Sequence, residues 1–87
     1  VKPIRISAHA RRRSLLRGAT EAEVLDTIRT GRWQPAQRGK LQVRKAFAFG
    51  QPSPVNQQVY ASKIIHVIFV NEPQEIIVIT VLVYYAN

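Results

Sequence analysis

The chain has 87 residues, with thirteen Lys and Arg against five Asp and Glu, for a formal net charge of +8. This is the length of one small domain, spanning residues 1–87, and it excludes a cofactor domain joined to a substrate domain; with no cysteine and only two histidines, neither a metal nor any other cofactor is expected. No apolar run approaches the roughly 18 residues of a membrane span and no signal-peptide pattern opens the chain, so a cytoplasmic protein with no membrane association is expected.

In chain order, Ile4 and Ile6 alternate with polar residues. Ser7 can cap a helix from Ala8 to Arg17, which Gly18 ends in the left-handed conformation. Thr20 and Glu23 form a capping box for a second helix, in which Val24, Leu25 and Ile28 make an apolar stripe and Gly31 closes the end. After Trp33 the segment QPAQRG is loop-like. From Lys40 the period changes to two: Leu41, Val43, Phe47 and Phe49 point one way, Gln42, Arg44, Ala46 and Ala48 the other. Gly50, Pro52 and Pro54 break this strand, a second runs from about Gln58 to Val70, and NEPQE turns the chain into a third. That third strand, IIVITVLVYY from Ile76 to Tyr85, is apolar and β-branched, as a strand covered on both faces should be.

A hairpin loop from Asn71 to Glu75 would set Val70 opposite Ile76, His66 opposite Thr80 and Ser62 opposite Tyr84. His66, Thr80, Tyr84 and Tyr60 then share a polar stripe, while Ile65, Val67, Phe69, Ile77, Ile79, Val81 and Val83 line the other face. In this register Lys63 and Thr80 point to opposite faces. Lys45 falls on the apolar side of its strand, where a lone lysine snorkels outward.

The charge is uneven. Through Lys45 there are twelve basic residues against three acidic ones, a balance of +9; the rest of the chain sums to −1. Such asymmetry suits a polyanion, and the predominance of arginine, whose planar fork matches phosphate, favours nucleic acid over lipid. At 100° per residue Ala8, Leu15 and Leu16 form one apolar arc of the first helix, with His9 at its border about 20° from Leu16. His9, Arg13 and Arg17 follow at i+4 steps and share a face, which places an imidazole beside guanidinium groups.

The runs HARRRSLLRGATEAEVLDTI, IRTGRW, FAFG, VYASK, IFV and EIIVITV resemble the small toxin-like family called domain of unknown function 4258, and the resemblance extends over nearly the whole chain, from Ile6 to Tyr85. That family is grouped with the barnase, EndoU, colicin and RelE-like ribonucleases. The resemblance implies an α+β fold with two N-terminal helices packed on a curved antiparallel sheet of about four strands. It also implies a metal-independent RNA-cleaving toxin, or a protein derived from one, paired with a small acidic antitoxin-like protein. The chain departs from the family between Phe49 and Tyr60, where QPSPVNQQ replaces a tighter hairpin.

The family's motif residues fall on His9, Ala10, Arg11, Arg17 and Gly18, its middle-strand lysine on Lys63 and its last-strand threonine on Thr80. Without a carboxylate cluster for metal ions, the chemistry open to such a site is attack by the substrate's own 2′-hydroxyl. His9 would then be general base or acid, Arg17 and Lys63 would stabilise phosphorane charge, and Thr80 would orient. His66 and Tyr84 are second candidates for proton transfer. Arg11, Arg12, Arg13, Arg44 and Lys45 are the expected phosphate contacts. A gyrase-inhibiting toxin, a nucleic-acid-binding module without catalysis and an inactive relative that forms a homo-oligomer through Trp33 and a strand edge are the alternatives.

Overall fold

The computed structural model describes residues 2–87. Strand β1 (Ile4–Ile6) leads into helices α1 (Ala8–Arg17) and α2 (Glu21–Thr30), followed by β2 (Gln34–Pro35), a 3-10 turn (Gln37–Gly39), β3 (Leu41–Pro52), β4 (Val59–Asn71) and β5 (Ile76–Ala86). The sheet has five strands in the order β1-β5-β4-β3-β2. It is mixed where about four antiparallel strands were expected: β1 runs parallel to β5, Ile4 opposite Ile76 and Ile6 opposite Val78, while the other pairs are antiparallel. Both helices cover one face, and among the described residues the other face carries no helix.

The helix ends follow from local chemistry. The Ser7 hydroxyl accepts from the Ala10 amide at 3.1 Å, and Gly18 ends α1 at φ 88°. Thr20 and Glu23 form the reciprocal capping box at the start of α2, which satisfies two amides that have no partner inside the helix. The core lies between the helices and the sheet and contains Ala10, Ala19, Val24, Ile28, Val43, Ile65, Val67, Phe69, Ile76, Val78 and Val81.

Helix α1 and the β4–β5 hairpin both depart from expectation. Helix α1 buries Ala10 and Ser14, and Leu15 and Leu16 are 72% and 66% exposed; small inner residues let the helix lie close to β5, and the leucines turn outward. In the hairpin, Asn71 pairs with Ile76, leaving a four-residue loop, Glu72 to Glu75, and a bulge between Thr80 and Val78 shifts the register again. The two shifts together place His66 opposite Leu82 and Ile68 opposite Thr80. Ile76 and Val78 therefore fill the core in place of Ile77 and Ile79.

A second break, between Ala48 and Gln51 on β3, coincides with Gly50 at φ 67° and bends the β3–β4 arm. The Tyr60 ring lies 5.5 Å from that of Tyr85, whereas it was expected to share a stripe with His66.

Candidate nucleic-acid interface

Arg17, Gly18, Thr20 and Glu23 build the corner between the two helices. At its end α1 leaves carbonyls without intrahelical partners, and two side chains from the sheet meet them. Tyr85 Oη donates to the Arg17 carbonyl at 2.5 Å, and Lys63 Nζ donates to the Gly18 carbonyl at 2.9 Å. The same ammonium reaches Glu23 Oε1 at 2.9 Å, an oxygen that also accepts from the Thr20 amide. Arg17 turns inward, its Nη1 donating to the Val81 carbonyl at 2.8 Å, just past the point where β1 stops covering β5. Burial pushes the Glu23 carboxyl upward, but the Thr20 amide and Lys63 outweigh it and hold the group below its ordinary value.

Arg17 and Lys63 thus come together, each engaged by backbone or carboxylate. His9 is exposed on the outer side of α1. Thr80 opposes Ile68 on the helix-free face, as His66 opposes Leu82 and Tyr84 opposes Ile64. Lys63 faces the helices, so the expected quartet of His9, Arg17, Lys63 and Thr80 is divided between the two sides of the sheet. Among the expected phosphate contacts, Arg11 pairs with Glu21 at 2.8 Å. Lys45 turns to Asp26 at 2.5 Å and to Thr30 at 2.8 Å, finding a carboxylate on α2 instead of reaching into solvent. Arg12, Arg13 and Arg44 are exposed.

His66 is 6% exposed. Its Nε2 lies 2.9 Å from Gln42 Oε1, and Gln42 Nε2 donates to the Pro35 carbonyl at 2.9 Å. The second bond fixes which end of the amide faces the ring. Nε2 of His66 therefore carries the proton, and Nδ1 is a bare acceptor, buried without a partner among the described residues. Burial first, and the Arg44 charge second, press the His66 pKa below 6.5, so the ring is neutral near pH 7.

No family model, curated protein or solved structure matches this chain. Among the described residues four of the five Asp and Glu side chains form ion pairs, with Arg5, Arg11, Lys45 and Lys63. Nine of the thirteen Lys and Arg residues, Arg12, Arg13, Arg29, Arg32, Arg38, Lys40 and Arg44 among them, have no carboxylate partner among the described residues. Arg32, Arg38 and Lys40 were missed as candidates by sequence reasoning. A signal was available, since residues 27–71 hold seven Lys and Arg and no Asp or Glu. No cluster of three or more His, Asp or Glu side chains able to hold a metal occurs among the described residues.

Proposed function

We propose that this protein binds RNA through its phosphates, as a nucleic-acid-binding module of toxin-like fold. The observation that carries this reading is the charge pairing: internal ion pairs use four carboxylates, which leaves an arginine-rich surface for an outside polyanion. Guanidinium groups suit this task because each can offer two parallel N–H donors to one phosphate. The test is anisotropy of a labelled single-stranded RNA titrated with the protein across a KCl series. A log–log salt slope of about −0.7 per phosphate contact is expected; affinity independent of salt, or no binding at 50 mM KCl, overturns the reading.

A second reading, a metal-independent endoribonuclease toxin, draws on the exposed His9, which shares α1 with Arg12 and Arg13. In that chemistry the 2′-hydroxyl oxygen attacks phosphorus as its proton passes to the imidazole, the bond from phosphorus to the 5′-oxygen breaks, and the leaving 5′-oxygen takes a proton from water. RNA treated in EDTA would acquire 2′,3′-cyclic phosphate ends with the parent protein and none with His9→Ala. Intact RNA with both proteins rules cleavage out. A small acidic antitoxin-like partner belongs to this reading. Its docking place would be the outer edge of β3, which past Gln42 pairs with no other strand among the described residues. Self-association through the same edge is the competing use.

A further inference from the structure

The segment that leaves α2 and enters β3 gathers cations that no carboxylate neutralises among the described residues. Gln34 and Pro35 pair with Gln42 and Leu41, and the turn at Gln37–Gly39 reverses the chain with Arg38 at φ 58° and Gly39 at φ 74°. Two hollows result. One, of about 150 Å³, is lined by Arg32, Gln34, Gln42, Val43 and Arg44. The other, of about 540 Å³, includes Arg38, Lys40, Gln42 and Ile68 in its lining. They share Gln42, whose amide is held by Pro35 and His66, so the floor between them is fixed. Neither is lined by an Asp or Glu. Further along the helix-free face, Tyr84 is 48% exposed and its ring lies 6.5 Å from that of His66.

We infer that single-stranded nucleic acid crosses the helix-free face of the sheet, its phosphates on Arg32, Arg38, Lys40 and Arg44 and an unpaired base on Tyr84. This rests on the RNA-binding reading above and names its surface. Charge complementarity selects the occupant: four cations without a carboxylate partner among the described residues line hollows that share one fixed amide, and an exposed aromatic ring lies further along the same face. A duplex offers no free base to the tyrosine, and an acidic polypeptide brings no π-face. The arginine-rich helix is the weaker candidate, because Arg11 is held by Glu21 and the outer side of α1 presents Leu15 and Leu16.

The test uses two double variants of the full chain that remove equal charge, Arg32→Ala with Arg44→Ala and Arg12→Ala with Arg13→Ala. Each is titrated into a labelled twelve-nucleotide oligo-uridine at 100 mM KCl. The first is expected to lose at least about tenfold in affinity, its salt slope falling by about 1.4 for two lost phosphate contacts; the second should stay within about threefold of the parent. Tyr84→Ala should weaken binding and Tyr84→Trp restore it. The matching single-stranded DNA should bind equally well, since neither contact reads the 2′-hydroxyl. If the α1 pair costs as much as the strand pair, the surface is wrong while the RNA-binding reading stands. Tighter binding of a matched duplex, or equal competition by polyglutamate of the same charge, also overturns the surface. An unmodified protein that binds no RNA at 50 mM KCl overturns both.

Discussion

Lys63 shows how a residue chosen for chemistry can be occupied by architecture. Only 5% of it is exposed, and its ammonium joins the end of α1, through the Gly18 carbonyl, to the start of α2, through Glu23. Removing one partner of a buried pair strands the other, which typically costs about 3–5 kcal/mol. Lys63→Ala is therefore expected to lose about 3 kcal/mol in urea unfolding, whereas a surface change such as Arg12→Ala should stay within about 0.5 kcal/mol. Glu23 adds a pH signature. Its folded-state pKa lies below the ordinary 4.5, so its contribution is fully present above that value and is lost as pH falls through the folded pKa. Unfolding midpoints followed from pH 6 to pH 3 should show this loss in the parent and less of it in Glu23→Gln. His66 behaves in the same direction for the opposite chemical reason. Burial and Arg44 disfavour its charged form, so the unfolded chain binds its proton first and stability falls as pH drops from 6.5 towards the folded value. In an NMR titration of the ring, Arg44→Gln should raise the His66 pKa; an unchanged value would show that burial alone sets it.

The helix–helix corner depends on Gly18 in two ways. At φ 88° the backbone is left-handed, and a Cβ there would sit 2.6 Å from Tyr85 Oη and 2.8 Å from Pro54 Cγ. Gly39, at φ 74°, has nothing within 4 Å of the same position. Gly39→Ala should therefore cost only the left-handed penalty, about 1 kcal/mol, and Gly18→Ala clearly more, because Tyr85 or Pro54 must also move. Equal losses in thermal unfolding would mean that the corner gives way freely. The ends of both helices were legible in the sequence because Ser7, Gly18, Thr20 and Glu23 act through neighbouring backbone. Which side of α1 meets the sheet was not legible, since close approach to β5 selects Ala10 and Ser14 and sends Leu15 and Leu16 outward. Nor was the hairpin register: a run as uniformly apolar as IIVITVLVYY has no period from which to read a bulge, and β1 is three residues long.

At the scale of the whole molecule, charge is the property that the sequence announces and folding sharpens. The excess of arginine was plain from composition, but its placement depended on which carboxylates α2 would use, and Glu21, Glu23 and Asp26 all turn to cations from other elements. The site expected around His9 was assembled on one helix face, where spacing is local; Lys63 and Thr80 already fell on opposite faces in the expected register and stay there, because loop and bulge together shift the pairing by two residues and so preserve sidedness at Thr80. A chain carrying +8 repels itself in the folded state, and salt relieves this by screening. A polyanion that docks on clustered cations does more, since it binds the folded state preferentially and stabilises it by about 2.7 kcal/mol at one hundred times its dissociation constant. For a domain of this size that corresponds to a rise in Tm of roughly 10–20 °C. Millimolar tripolyphosphate is accordingly expected to raise Tm by several degrees above NaCl at matched ionic strength, and Arg32→Ala with Arg44→Ala should remove part of the difference. Identical melting in the two salts would reduce the basic surface to diffuse repulsion, with no place on it where an anion is held.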